Sequence, residues 1–111
     1  MTASYELSLA SNGEYRFALK DATGAGLLNS ELYKSKASAL NGIASVQSNS
    51  AHEQRFERLV AKNGKPYFNL KAANHQVIGT SHFYSSEVEC ENAIAAVKQY
   101  GPESTIQDLT L

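Results

Sequence analysis

The sequence predicts an α+β domain in which two tandem β-β-β-α units and a closing C-terminal strand form one antiparallel sheet with two helices on one face. Three observations lead to this fold class. The chain aligns with itself at a shift of 51 residues, which places Tyr5 on Phe56. Each copy opens with alternating apolar and polar residues, the period of a half-buried strand. Each copy closes with apolar residues at spacings of three and four, the period of a helix with one buried stripe.

The internal repeat matches Tyr5 to Ala51 with Phe56 to Pro102 without a gap. Fifteen of the 47 aligned positions are identical and they spread over the whole unit, which indicates two equivalent structural modules. The final segment, Gln107 to Leu111, falls in register with the first strand of each copy. We therefore expect a single domain over 1–111, with repeats at about 5–51 and 56–102 and a closing strand over 105–111.

The strands of the first unit follow from pattern and turn chemistry. Residues Tyr5 to Leu9 alternate apolar with polar, and Phe17 and Leu19 do the same in the next strand. The intervening Asn12-Gly13 is a strong hairpin signal, and we expect both turn residues to have positive φ. A third, weaker strand is expected around Gly26 to Glu31, before the helix.

The helices are marked by their first residues and by their apolar stripes. Ser35 is expected to cap the first helix, and Ser86 with Glu89 predicts a capping box for the second. Gly101-Pro102 should end the second helix. The expected buried stripes are Ala39, Ile43 and Val46 in the first helix and Cys90, Ile94 and Val97 in the second.

Composition limits the classes of function. The 111 residues carry a net charge of −1, so no global field draws the protein to nucleic acid or to an anionic membrane. The residues Met1 to Ser8 lack the pattern of a signal peptide, and no apolar run is long enough for a membrane span. A single cysteine excludes an intrachain disulfide and suits a reducing compartment. We expect a cytoplasmic protein.

Two stretches of the second copy resemble the YegP-like family of small bacterial proteins: Gly64 to Asn74, and Tyr84-Ser85-Ser86 followed by Glu91 to Ile94. The resemblance covers almost the whole chain and implies a strand-strand-strand-helix unit in tandem. It implies no reaction. It also implies that relatives with one unit dimerise to complete the sheet, so this tandem chain is expected to be a monomer with an internal pseudo-twofold axis. His75 departs from the family pattern, because glycine is expected there.

Residues that could carry chemistry are few. Cys90 is a candidate nucleophile with His52, His75 or His82 as base, yet it aligns with Ala39 on a buried stripe and is therefore expected in the core. None of the three histidines recurs in the other copy, and they make a poor metal site. We expect no cofactor, no metal and no catalytic residues.

Two asparagines, Asn41 and Asn92, occupy equivalent positions in the middle of the two helices, where asparagine has poor propensity. We expect their side chains to bond to loop or strand backbone, because buried polar groups need partners. The alternative is a pair of symmetry-related binding contacts.

One surface is a candidate binding site. If Phe17 and Leu19 and their equivalents face the helices, a set of polar and basic residues shares the open face of the sheet. That set is Arg16, Lys20, Tyr67, Asn69 and Lys71. Glu6, Glu57 and Asp108 are expected on the same face and reduce its positive charge.

Three classes of function stay open on these observations. A non-enzymatic binding or protein-interaction module is favoured, because no convergent titratable cluster supports a mechanism. The second is binding of single-stranded nucleic acid on the open face, through basic residues and Tyr67. The third is a small hydrolase or redox activity centred on Cys90.

Overall fold

The computed structural model describes residues 3–111 and shows seven strands, two α-helices and one short 3-10 turn. The strands are β1 (Ser4–Leu9), β2 (Tyr15–Lys20), β3 (Gly26–Asn29), β4 (Phe56–Val60), β5 (Pro66–Lys71), β6 (Val77–Thr80) and β7 (Thr105–Asp108). The helices are α1 (Lys36–Asn49) and α2 (Glu87–Tyr100), and the 3-10 turn is Glu53–Arg55.

All seven strands form one sheet in the order β4-β5-β6-β3-β2-β1-β7, so the α+β class and the two tandem units are confirmed. Five of the six pairings in this order are antiparallel, as predicted. The sixth was predicted wrongly, because β7 runs parallel to β1. The closing strand cannot lie beside β2, because β1 already pairs with that edge of β2. The chain leaving α2 therefore adds outside β1 and runs in the same direction.

The two units meet at a pseudo-twofold axis between β3 and β6. The pair that joins these strands, Asn29 and Thr80, consists of equivalent residues of the two copies. Beside it lie Leu28 and Gly79, also equivalent, and a Cβ on Gly79 would come within 2.6 Å of Leu28 Cγ. Two leucines cannot occupy this place together, which explains why the copies differ here.

One core lies between the sheet and the helices. The inward residues of the strands, including Phe17, Leu19, Phe68 and Leu70, are buried as predicted. Helix α1 packs on β2, β5 and β6, and α2 packs on β3 and β5, so each helix covers strands of both units. Both predicted helical stripes are buried: Ala39, Ile43, Val46, Cys90, Ile94 and Val97. Since the core is shared, neither unit has one of its own.

The hairpin turns form where predicted, but with a different backbone. Within the two Asn-Gly turns only the glycines, Gly13 and its equivalent Gly64, have positive φ, at 85° and 84°, so positive φ at Asn12 was predicted wrongly. The amide of Gly13 donates to Ala10 O, and Asn12 Oδ1 accepts from the backbone amide of Glu14. This longer turn needs left-handed backbone only at its glycine.

The helix starts agree with the capping residues. The Ser35 hydroxyl accepts from the Ser38 amide, and the Ser86 hydroxyl accepts from the Glu89 amide. The Glu89 carboxylate contacts the hydroxyls of Ser85 and Ser86, a local variant of the predicted box. Gly101 follows α2 with ordinary helical φ.

Gly101 is needed for close approach. A side chain there would collide with Ser50, its equivalent after α1, so the two helices end against each other. Neither α1 nor α2 is long and apolar enough to cross a membrane, and no other α-helix occurs within residues 3–111.

The two helical asparagines do not make the hydrogen bonds to loop or strand backbone that were predicted for their side chains. Asn41 and Asn92 are both exposed, and neither side chain makes a hydrogen bond within residues 3–111. Each sits next to a buried residue on its helix, Gly42 and Ala93, and points to solvent. Both copies carry asparagine at this exposed position, where its low helix propensity lowers the stability of the helix by only about 0.5 kcal/mol.

Candidate binding face

The open face of the sheet is a continuous surface that crosses both units. One row of paired residues runs across all seven strands with its side chains on this face, and the pairing register places them side by side. The row consists of Gln107, Glu6, Ala18, Asn29, Thr80, Asn69 and Glu57. Because the inward neighbours of these residues fill the core, the row lies on the side of the sheet that faces away from the helices.

The basic charge expected on this face is largely neutralised. Lys20 Nζ lies 3.0 Å from the Glu6 carboxylate, and Lys71 Nζ lies 3.0 Å from the Glu57 carboxylate. The two pairs are equivalent in the two copies. The hydrogen bond from Lys71, with a second from Asn69, lowers the pKa of Glu57 below its usual range. Both lysines are therefore half of an ion pair.

Arg16 is the basic residue of the face that forms no salt bridge within the described chain. It borders a depression of about 250 Å³ above Ala18, lined also by Glu6, Ser8 and Asn29. In the second unit the larger Asn69 takes the position of Ala18.

Asp108 does not lie on the open face, where it was expected. It pairs in register with the inward-facing Leu7, and its carboxylate forms an ion pair with Lys36 at the start of α1. Hydrogen bonds from Lys36 and Thr110 lower the pKa of Asp108 to about 2. The parallel pairing caused this change, because it places Gln107 on the open face instead.

An apolar cluster stands at the second-unit end of this face, and we name it the aromatic corner: Leu59, Tyr67 and Phe83. The ring of Phe83 meets that of Tyr67 edge-on, with centroids 5.2 Å apart and planes at 86°. Leu59 pairs with Tyr67 across β4 and β5. Phe83 is 54% exposed. Phe83 was not among the predicted site residues, although the repeat aligns it with Leu32, another exposed apolar residue.

The structure places Arg16, Lys20, Tyr67, Asn69 and Lys71 on the open face, with the register that their alternation predicted. It divides them between two regions. Arg16 and Lys20 belong to β2 of the first unit, whereas Tyr67 is part of the aromatic corner and Asn69 and Lys71 follow it on β5. The five side chains therefore do not form a single basic site.

The candidate nucleophile lies away from this face. Cys90 is 3% exposed within the core, and burial raises the pKa of its thiol. All three histidines are exposed, and the His82 ring packs on Tyr84 at 4.4 Å. Within residues 3–111, no group of three or more His, Cys, Asp or Glu side chains is placed to hold a metal ion.

Residues 10–57 and 61–108 each match the model of a domain of unknown function, DUF1508. Relatives resemble the chain along its whole length. It is 62% identical to a UPF0339 protein of Acinetobacter baylyi, over 99% of each chain. It is 52% identical to the UPF0339 protein YegP of Escherichia coli K12, over 99% of this chain and 100% of that one.

The chain belongs to the UPF0339 family. Two solution NMR structures of UPF0339 proteins have the same fold. The protein from Shewanella oneidensis is 55% identical with a TM-score of 0.92, covering 99% of this chain and 93% of that one. The Escherichia coli yegP structure, titled a protein of unknown function, is 52% identical with a TM-score of 0.92, covering 99% and 95%. The resemblance seen in the sequence is confirmed, and this family membership brings no reaction with it.

Proposed function

We propose that this UPF0339 protein is a non-enzymatic protein-interaction module that docks a partner protein on the aromatic corner of its open face. The observation that carries the proposal is the exposed Phe83 ring held edge-on against Tyr67. Phe83 lies outside the core cluster, so packing within the domain does not account for it.

The chemistry of the corner suits a protein partner. Aromatic residues are enriched at the centres of protein interfaces, and a polar rim commonly surrounds them. Here Asn69 and the Lys71–Glu57 pair provide that rim. Covering about 100 Å² of apolar surface contributes roughly 2.5 kcal/mol, enough for one anchor of a docking site.

Single-stranded nucleic acid is the alternative partner. The ring of Phe83 adds a second aromatic stacking surface beside Tyr67. Against this alternative, Lys20 and Lys71 are both paired with glutamates, and the net charge is −1. A phosphate backbone would have to displace those glutamates, so the protein partner is favoured.

An enzyme built on Cys90 is disfavoured. A buried thiol with a raised pKa is a poor nucleophile at neutral pH. In the folded protein, we expect Cys90 to resist a water-soluble alkylating reagent and to react after unfolding. If Cys90 in the folded protein were alkylated as fast as an unfolded thiol, an enzyme built on Cys90 would again be a candidate.

The proposed module acts as a cytoplasmic monomer without a cofactor. The internal axis supports the monomer, because the second copy completes the sheet within one chain. Sedimentation at micromolar concentration tests it, and a dimer would place a second copy on one of the sheet edges or faces.

The test is retention of partners by tagged protein expressed in its own host, with Phe83→Ala compared with Leu32→Ala. Leu32 is the equivalent exposed residue of the first unit, 48% exposed, so its truncation is a matched control. We expect a defined protein partner that is lost with Phe83→Ala and kept with Leu32→Ala. Nuclease-sensitive retention that weakens steeply with salt would instead show nucleic-acid binding. Equal retention by both variants would refute the aromatic corner as the docking site.

A further inference from the structure

The two units differ at their outer edges. The outer edge of β1 is covered by β7, which pairs with it in parallel. The equivalent strand of the second unit, β4, pairs with β5 on one side and has no strand on the other within residues 3–111. The molecule therefore contains one occupied and one open copy of the same edge.

The occupied edge shows how a segment is held there. Glu6 pairs with Gln107 and Leu7 with Asp108, and the Leu109 amide donates to Leu7 O at 2.8 Å. The side chain of Asp108 then reaches the ion pair with Lys36. Backbone bonds thus hold the strand, and one ion pair at the first residue of α1 fixes its register.

The open edge has the opposite charge. The position of Lys36 is taken in α2 by Glu87, an exposed residue at the first position of the helix. Arg58 is bound by Glu53 and Glu91, each at 2.6 Å, and Lys98 also pairs with Glu53. The carboxylates of Glu53, Glu87 and Glu91 together carry three negative charges. Arg58 and Lys98 carry two positive charges, so the net charge of this group is −1. The residues that the 51-residue shift aligns with these five are uncharged except Lys36, and Asp108 balances the charge of Lys36.

A cavity accompanies this edge. It measures about 380 Å³ and lies between the end of β4 and α2, with Val60, Pro66, Cys90 and Glu87 in its lining. Val60 is 68% exposed, so the strand end carries apolar surface as well as free backbone groups. The 3-10 turn Glu53–Arg55 precedes β4, which leaves the edge from Glu57 to Val60 for an occupant.

We infer that the open edge of β4 binds an extended segment of a partner protein as a parallel strand, with a lysine or arginine of that segment beside Glu87. This basic residue takes the place that Asp108 takes on β1. A second copy of the chain is a poor occupant, because its own closing strand would bring Asp108 to an edge that already has a negative charge. Leu59 and Tyr67 of the aromatic corner also line the cavity, so the two sites adjoin, but Glu87 belongs to this site alone.

A matched pair of peptides tests the inference on the full chain. One is the chain's own segment 104–111, and the other is that segment with Asp108→Lys. The backbone amides of isotopically labelled protein are followed by NMR, which detects millimolar binding. We expect the lysine peptide to shift the amides of residues 57–60 and 87–91. We also expect it to bind about fivefold more tightly at low salt than the native peptide, an effect of the order of one ion pair.

Charge reversal supplies the decisive comparison. Glu87→Lys should exchange the preference, so that the native peptide binds more tightly than the lysine peptide. Glu103→Lys changes the net charge equally at an exposed residue beyond α2 and should leave the preference unchanged. Equal binding of both peptides to all three proteins, or shifts confined to other strands, would overturn the inference. The absence of any amide shift at millimolar peptide would also overturn the inference. It would show that Arg58 prevents a strand from pairing with the edge of β4. Phe83 does not line the cavity, so Phe83→Ala should leave the preference between the two peptides unchanged.

Discussion

Substitution of Gly79 by alanine tests the packing at the pseudo-twofold axis. The added Cβ would lie 2.6 Å from both Cγ and Cδ2 of Leu28 and 3.1 Å from its Cδ1. Carbon atoms that are not bonded normally approach to about 3.5 Å, so the overlap is roughly 0.9 Å. Leu28 is fully buried and cannot swing into solvent.

The expected cost follows from two opposing effects. Overpacking of this kind destabilises by about 1–3 kcal/mol. Alanine also restricts the unfolded chain, which offsets about 0.4–1 kcal/mol. We therefore expect Gly79→Ala to lower the free energy of unfolding by about 1–2 kcal/mol, with a fall in Tm of about 4–8 °C in a domain of this size.

Urea unfolding followed by far-UV circular dichroism measures this change, since the chain has no tryptophan. The midpoint should fall at an unchanged slope. Gly26→Ala is the control, because this strand glycine has nothing within 4 Å of an added Cβ and lacks positive φ. A Gly79→Ala variant as stable as Gly26→Ala would refute the reasoning.

A double-mutant cycle makes the test specific to this contact. Leu28→Ala alone should cost about 2–5 kcal/mol, because it leaves a cavity in the core. In that background Gly79→Ala has space, and it should become neutral or stabilising. The coupling should therefore be about 1–2 kcal/mol in favour of the double variant. If alanine at Gly79 costs the same in both backgrounds, the contact with Leu28 is not the cause.

Three further predictions concern a turn, an ion-pair network and the closing strand. His75 has φ of 69°, so His75→Gly should raise stability by up to about 1 kcal/mol in thermal unfolding, and a loss would show that no strain was present. Hydrogen bonds from Arg58 and then Lys98 lower the pKa of Glu53 from 4.5 to about 2, so its contribution is complete above about pH 4.5 and is lost as pH falls through about 2. Because Glu53 is exposed, Glu53→Gln should lower the free energy of unfolding by at most about 1 kcal/mol at pH 7 and should not change it near pH 1. An equal effect at both pH values would exclude this linkage. Deleting Gln107–Leu111 uncovers the outer edge of β1, and an unchanged melting temperature with no self-association would contradict its closing role.

The sequence alone was sufficient to locate the strands and the helices. Alternation and helical spacing identified the strands and helices, because each pattern reports which face of an element is buried. Ser35 and Ser86 marked the helix starts, since the cap is a bond within four residues. The repeat added the one piece of non-local information, that two equivalent units share a core.

The candidate site was predicted only in part. The alternation of β2 and β5 placed Arg16 and Tyr67 on the open face correctly. It could not show that Lys20 and Lys71 are neutralised by residues of β1 and β4, or that Phe83 packs on Tyr67. These contacts join residues from different elements, and a pattern along one strand does not report its neighbours.

The sequence by itself determined the elements, the buried faces of the two helices and of the strands of both units, and the twofold relation of the units. Only the tertiary structure decided the parallel placement of β7, the transfer of Asp108 to the helix side and the choice of leucine or glycine at the axis. The physical reason is that periodicity depends on the chain's own geometry. Strand neighbours and close approaches depend on which edges and spaces the rest of the fold has already occupied.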